Sequence, residues 1–233
     1  MPEITVDTGD GPIGAVLEMP SGDGPWPAVV VAHDLLGLSV DIKNIVRRIA
    51  DAGYLVLAPN LYSRGGRARC VTRVFRELIR RDGRAIDDLL AARTALIDRE
   101  DCTGAVAIVG FCMGGGFALA MAPKGFDVSA PFYGVLPRHL DQALNGSCPI
   151  VASFGTRDPV LRGAGPALER SLGRLGVAHD VKTYPGVGHS FANRLPVPAP
   201  LLRITGFAYG PDETEDAWRR VFAFLDAHLP GTG

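Results

Sequence analysis

Two short segments, WPAVVVAH (residues 26–33) and YLVLAPN (54–60), consist almost entirely of apolar residues. A continuous apolar run of this length is typical of a β-strand that is covered on both faces. The segment EITVDTGDGPIGAVLEMP (3–20) predicts two shorter strands around a Gly-Asp-Gly turn. Four further strands are predicted at AVAIVG (105–110), DVSAPFYG (127–134), CPIVASFG (148–155) and HDVKTYPG (179–186).

Between these strands, apolar residues recur every three or four positions, which is the helical period. Residues 40–52 carry isoleucine or valine at positions 42, 45, 46 and 49, so they predict a helix that ends at Gly53. Residues 71–98 predict two helices that are interrupted near Asp82-Gly83. Three more helices are predicted over 113–122, near 164–175 and over 214–228.

Strands that alternate with helices predict an α/β fold, a mostly parallel central sheet with helices on both faces. A length of 233 residues allows one such domain or two small ones, and we expect a single domain over 1–233. Such sheets bind ligands outside the carboxyl ends of their strands. Reactive residues are therefore expected directly after strands.

Composition narrows the choice of partner and compartment. With 47% hydrophobic residues, 21% charged residues and a net charge of −1, the chain offers no basic stripe for nucleic acid. No apolar run approaches the roughly 20 residues of a membrane span, and MPEITVDTGDG lacks the features of a signal peptide. The four cysteines are widely spaced and have no histidine at metal-ligand spacing, so we expect no metal. A cytoplasmic monomer or small homo-oligomer is expected.

The segment VAIVGFCMGGGFALA runs from a predicted strand through a glycine-rich turn into a helix. G-x-Cys-x-G in this setting is typical of a nucleophile elbow, where the tight turn needs small flanking residues. The positive potential of the helix N-terminus favours the thiolate form of Cys112, and the Met113 N–H is a candidate oxyanion donor. The alternative is that Cys112 simply packs as a small buried hydrophobe.

Two more candidate residues, Asp158 in VASFGTRDPV and His189 in YPGVGHSF, each follow a predicted strand. An aspartate in such a place can orient an imidazole and stabilise its cation. Taken singly, Asp158 is typical of a turn before proline, and His189 of a solvated loop. The order nucleophile, acid, histidine is that of α/β-hydrolases, so Cys112, Asp158 and His189 together favour a catalytic triad.

His33, Asp34 and Leu35 lie at the end of the strand 26–33. The Leu35 N–H is a candidate for the second oxyanion donor. The Asp34 carboxylate has two interpretations, which stay open. It holds or relays the proton of Cys112, or it caps the turn into the following helix.

These segments together resemble the dienelactone hydrolase family of α/β-hydrolases over nearly the whole chain. The resemblance rests on GFCMGGGFA, GTRDPV, GVGHSF, APFYG and HDLLGLSVDIKNIVRRIADAGYLVLAPNLYSRGG. Cysteine in the elbow, where most relatives of the wider fold have serine, is its most specific feature. It implies an α/β-hydrolase fold without a cap domain, and hydrolysis of a small ester or lactone through a thioester, without a cofactor.

The resemblance also implies residue roles. Cys112 would be the nucleophile, Asp158 the orienting acid and His189 the base, with the N–H groups of Leu35 and Met113 as oxyanion donors. The best-studied members have glutamate at the position of Asp34, where it pairs with the resting thiol. They bind a substrate carboxylate with arginines, one of them in an H-S-F-A-R pattern that this chain changes to H-S-F-A-N-R. Candidates for contact with the substrate or thiol are Asp34, Arg69, Arg73, Arg76, Tyr133 and Ser190.

Two other functions stay open at this stage. A non-catalytic small-ligand-binding module would keep the same fold without turnover, and a thiol redox protein would use Cys112 alone, although no resolving cysteine is evident. The Pro-rich, apolar residues 190–213 have two interpretations as well. They form a surface connection, or they wall a pocket with Phe191, Phe207 and Tyr209.

Overall fold

The computed structural model describes residues 1–229 and places eight strands in one sheet, in the order β1-β2-β4-β3-β5-β6-β7-β8. β1 pairs with β2 and β2 with β4 in antiparallel register, whereas β3 to β8 run parallel. The strands are β1 Glu3–Val6, β2 Ile13–Glu18, β3 Trp26–Ala32, β4 Leu55–Pro59, β5 Cys102–Phe111, β6 Val128–Phe132, β7 Ile150–Gly155 and β8 His179–Tyr184. The expected mostly parallel sheet is confirmed.

Eight helices connect or follow the strands of the described chain. They are α1 Val40–Asp51, α2 Arg67–Arg80, α3 Arg84–Ile97, α4 Met113–Met121, α5 Leu140–Leu144, α6 Ala164–Leu175, α7 Ala199–Thr205 and α8 Pro211–His228. The break between α2 and α3 falls where expected, with Arg81 and Gly83 at φ values of 58° and 109°. The pattern did not predict α5 and α7, because five and seven residues are too short to show a helical period.

Alternate residues of the central strands supply two cores on opposite faces of the sheet. Val29 and Val31 of β3 share one core with Ile42 of α1 and Trp218 of α8. Val30, between them, shares the other core with side chains of α2, α3 and α4. Burial on both faces explains why the strand sequences are continuously apolar rather than alternating.

The parallel strands β3, β5, β7 and β8 end at the same edge of the sheet. The residues that follow them therefore meet there, although they are far apart in sequence. No helix between residues 1 and 229 is both long enough and apolar enough to cross a membrane.

Candidate active site

The turn between β5 and α4 holds Cys112 in a conformation that L-residues rarely adopt, with φ 55° and ψ −111°. Glycine is required on both sides. A Cβ on Gly110 would lie 2.0 Å from the Gly114 carbonyl oxygen, and one on Gly114 would lie 2.0 Å from that of Ala32. The turn is fixed further because the Cys112 N–H donates to the Phe132 carbonyl at 3.1 Å. This strained and braced turn sets the sulfur at the edge of the sheet.

His189 and Asp158 meet at this edge. The His189 Nδ1 lies 2.7 Å from Oδ2 of Asp158, and the two side chains are 3% and 0% exposed. The other carboxylate oxygen of Asp158 accepts the N–H groups of Val160 and Leu161 at 2.7 and 2.9 Å. Both oxygens are therefore occupied, and the acid cannot rotate without losing hydrogen bonds. Cys112 lies close enough to His189 to influence the pKa of its ring, so thiol, imidazole and carboxylate are neighbours at this edge.

The surroundings of His189 favour its protonated form at neutral pH. Burial alone would lower the pKa of His189, but the hydrogen bond to Asp158, the neighbouring Cys112 and the charge of Asp158 raise it to about 9. Burial opposes ionisation of Asp158 as well, yet the hydrogen bond from His189 lowers the pKa of that carboxyl. These two shifts favour a carboxylate on Asp158 and an imidazolium on His189 at neutral pH.

Two aromatic side chains pack against the His189 ring. The ring centroid of Tyr133 lies 5.1 Å away and that of Phe207 lies 5.4 Å away. Tyr133 is fully buried at φ 38° and donates its hydroxyl to Oδ1 of Asn193. The amide of Asn193 in turn donates to Asp41 at 2.7 Å. This chain ties the loop that carries the histidine to the first turn of α1.

The loop after β3, which carries the candidate oxyanion donor of Leu35, is held by a histidine whose role the sequence does not reveal. The N–H of Leu61 donates to His33 Nε2 at 3.1 Å, so the ring proton is on Nδ1, which donates to the Asp34 carbonyl at 2.7 Å. Burial lowers the pKa of His33 to about 4 and keeps the ring neutral. The Asp34 carbonyl and the Leu35 N–H belong to one planar peptide group. The hydrogen bond that fixes the Asp34 carbonyl therefore also fixes the direction of the Leu35 N–H.

A tyrosine joins the two residues that carry the candidate oxyanion donors. The Tyr62 hydroxyl lies 3.4 Å from the Leu35 carbonyl oxygen and 3.8 Å from the Met113 sulfur. Met113 is fully buried, whereas the side chain of Leu35 is 41% exposed. The Tyr62 side chain thus contacts the backbone of Leu35 and the side chain of Met113, and the Leu35 side chain faces solvent.

The Asp34 carboxylate occupies the turn-capping position. Its Oδ1 accepts the N–H of Leu36 at 2.8 Å, and within the described chain it has no direct hydrogen bond to Cys112. Burial raises the pKa of Asp34 to about 6, against the lowering effects of that hydrogen bond and of the Arg67 charge. Arg67, at the start of α2, was not among the residues that the sequence singled out. Its only sequence signal is its position after Gly65-Gly66.

The structure does not bring the other candidate arginines to the sulfur. Arg73 forms an ion pair with Glu77 at 2.9 Å within α2, and Arg69 and Arg76 are exposed. Arg194 is also exposed and lies over the ring of Tyr209 at 4.3 Å. The one-residue shift after the histidine thus turns the arginine outward, while Asn193 faces inward.

Ser190 follows the histidine in a tight turn. It is buried at φ 62°, and its carbonyl accepts the N–H of Asn193 at 2.9 Å. This hydrogen bond helps to shape the loop that carries His189. Within residues 1–229, no group of three or more histidine, cysteine or acidic residues is arranged to hold a metal ion.

An eight-stranded, mostly parallel sheet with helices on both faces and a strained turn after β5 places the chain in the α/β-hydrolase class. The family model for the dienelactone hydrolase family matches residues 13–229. The chain therefore belongs to this family of hydrolases.

Named relatives are consistent with this assignment. The chain is 28% identical over 242 residues to the carboxymethylenebutenolidase of Pseudomonas sp. (strain P51), covering 97% of this chain and 95% of the relative. It is 29% identical over 205 residues to that of Pseudomonas putida, covering 81% and 85%. Among solved structures, a dienelactone hydrolase-like promiscuous phosphotriesterase from metagenomic libraries superposes with a TM-score of 0.82 at 24% identity, covering 98% of each chain.

Proposed function

We propose that the protein hydrolyses small carboxylic esters or lactones through a thioester on Cys112. The observation that carries this proposal is the position of the His189 ring, which is hydrogen-bonded to the Asp158 carboxylate and is a neighbour of the Cys112 thiol in the strained turn after β5. Burying ionisable groups costs free energy whatever their role. A buried cluster of such groups is therefore typical of a functional site rather than of an ordinary core.

The acylation step uses Cys112 as the nucleophile and His189 as the acid. The Cys112 thiolate attacks the ester carbonyl carbon, and the carbonyl electron pair moves onto oxygen. The N–H groups of Leu35 and Met113 stabilise the resulting oxyanion. As the tetrahedral intermediate collapses, the ester C–O bond breaks and the His189 imidazolium gives its proton to the leaving alkoxide.

Deacylation uses the same residues in reverse. The imidazole of His189, now neutral, takes a proton from a water molecule that attacks the thioester carbonyl. Collapse expels the thiolate and releases the carboxylic acid, and the imidazolium is restored beside Asp158. A thiolate departs more readily than an amide nitrogen, so esters and lactones are better substrates than peptides.

We further propose that the protein works on a small molecule as a monomer or small homo-oligomer, in the reducing environment of the cytoplasm. Cys70, Cys102, Cys112 and Cys148 are all free thiols, which supports a reducing compartment. The net charge of −1 offers no electrostatic attraction to nucleic acid.

Trapping the acyl-enzyme tests this function directly. The protein is mixed with p-nitrophenyl acetate, quenched in acid within the first turnover, and analysed by intact mass and peptide mapping. The proposal expects turnover and one added acetyl group on the peptide that contains Cys112. Absence of turnover favours a binding module. A redox protein is favoured if the wild type shows no ester turnover and peroxide oxidises Cys112 as fast in His189→Ala as in the wild type.

The pH dependence should report the proton on His189. We expect kcat/KM for an alkyl ester to fall as the pH rises through about 9, because the deprotonated ring cannot protonate the leaving alkoxide. The measurement is a pH profile of initial rates. A p-nitrophenyl ester is the matched control, since its leaving group departs without a proton and the decline should be much weaker. Equal declines for both esters would contradict the assigned role.

His33 is expected to act as a positioning residue for the Leu35 N–H. Replacing His33 with alanine should lower kcat about 10-fold to 100-fold with little change in KM, because the oxyanion donor loses its fixed direction. His33→Gln should recover most of the rate, since its amide offers both a donor and an acceptor. Steady-state kinetics measure both variants, with thermal unfolding as the control for folding. If His33 has only a structural role, His33→Gln should not restore kcat beyond what its thermal stability accounts for.

A further inference from the structure

A second concave surface lies between α2, α4 and the segment from the end of β6 to α5. It is a groove of about 790 Å³, within the range of small-molecule pockets. Gly116 and Ala120, one helical turn apart on α4, line its floor, and Leu78 packs directly against Gly116. Leu78 and Leu136 contribute apolar walls. None of the residues assigned to the catalytic steps lines this groove.

The charged side chains that line the groove are arginines. Arg81, Arg138 and His139 line it, and no acidic residue does. Within residues 1–229, neither arginine has a carboxylate within ion-pair distance. The rim is therefore electropositive above an apolar floor.

Arg81 is the least compensated of these groups. Its Nη2 donates to the Ala143 carbonyl at 2.6 Å, but its Nε is buried without a hydrogen-bond partner. Burial lowers the pKa of this guanidinium, so the folded protein bears a cost for keeping it charged. A partly buried cation of this kind is stabilised when an anion arrives.

Three other partly buried arginines of the described chain have a carboxylate or an aromatic ring beside the guanidinium. Arg64 pairs with Asp88 at 2.8 Å, and Arg99 pairs with Asp101 at 2.7 Å. Arg93, whose Nε is also buried and unpartnered, instead lies 5.7 Å from the centroid of the Phe126 ring. Arg81 has neither a carboxylate nor an aromatic face, and it lines an open groove.

We infer that this groove binds a small amphipathic anion, a carboxylate attached to a compact apolar body. The carboxylate pairs with Arg81 and Arg138, and the apolar body covers Gly116, Ala120 and Leu136. Charge-assisted hydrogen bonds to guanidinium give the site its preference for an anion, and burial of the apolar body contributes the remaining affinity. The inference does not depend on the chemistry at Cys112.

Calorimetric titration of the full chain with octanoate and with 1-octanol tests the site. We expect octanoate to bind one to one and at least about 10-fold more tightly than octanol, since only the acid can pair with the arginines. Arg81→Gln should weaken octanoate about 10-fold and leave octanol unchanged. Arg80→Gln, an exposed neighbour on the same helix, is the matched control and should bind as the wild type does.

Two further measurements show whether octanoate binds in the groove or at Cys112. Alkylation of Cys112 with iodoacetamide should leave octanoate binding intact if the acid sits in the groove. Arg138→Gln, on the exposed rim, should also weaken octanoate, and it serves if Arg81→Gln does not fold. The inference is overturned if octanoate does not bind, if octanol binds equally well, or if alkylation removes binding that the arginine variants leave unchanged.

Discussion

Cys112→Ala is expected to lower kcat/KM for p-nitrophenyl acetate by about 10⁴-fold or more, toward the rate without enzyme. The variant loses the only atom that attacks the carbonyl, and the oxyanion donors alone provide little turnover. Alanine removes one sulfur atom from a turn whose geometry depends on Gly110 and Gly114, so the fold should persist. Initial-rate assays measure the loss of kcat/KM, and thermal unfolding of the variant shows whether the fold persists.

Another free thiol supplies the control for this experiment. Cys148 is partly buried and packs against apolar core residues, and burial raises the pKa of its thiol to about 12. Cys148→Ala should therefore keep wild-type kcat/KM and should still be acylated at Cys112. Activity of Cys112→Ala within a few fold of the wild type would mean that the sulfur is not the nucleophile.

The fold could be predicted because its strands and longer helices carry strong local patterns. Val29 and Val30 point to opposite cores, so their strand had to be apolar at every position, and the sequence shows this directly. Parallel strands then required that Cys112, Asp158 and His189 meet at one edge. Short elements escaped prediction because α5 and α7 depend on surrounding contacts rather than on a period of their own.

Other parts of the site depend on contacts that no local pattern records. The proton position in His33 is set by the N–H of Leu61, 28 residues away. The inward direction of Asn193 is set by Asp41, which is 152 residues away. The isolation of Arg81 is likewise a property of its neighbours in space. Such roles can be assigned only when the donors and acceptors around each group are known.

Two features of the site lower the stability of the folded protein, and packing of the core must offset both. One is the left-handed backbone at Cys112, and the other is a buried charge on His189 and Asp158. The two cores of the sheet hold β5, β7 and β8 rigidly enough to keep these groups in contact. Removing one partner should therefore affect both turnover and the pH dependence of stability.

Asp158→Asn is expected to lower kcat about 10³-fold to 10⁴-fold while leaving the fold intact. The asparagine oxygen can still accept the N–H groups of Val160 and Leu161, so the turn is kept. Its NH₂ group then faces Nδ1 of His189 and moves the ring proton to the nitrogen beside Cys112 in the neutral ring. The variant also loses the charge that holds the imidazolium, so the pKa of His189 should fall below about 9.

The same variant separates a catalytic from a structural role through the pH dependence of unfolding. The pKa of His189 is raised in the folded protein, from an ordinary value of 6.5 to about 9. Its contribution to stability is thus complete below pH 6.5 and is lost as the pH rises through about 9. Wild type should therefore lose stability over this interval by urea unfolding, and Asp158→Asn should lose less. If both proteins show the same pH dependence of stability and similar kcat values, Asp158 neither orients His189 nor holds its charge.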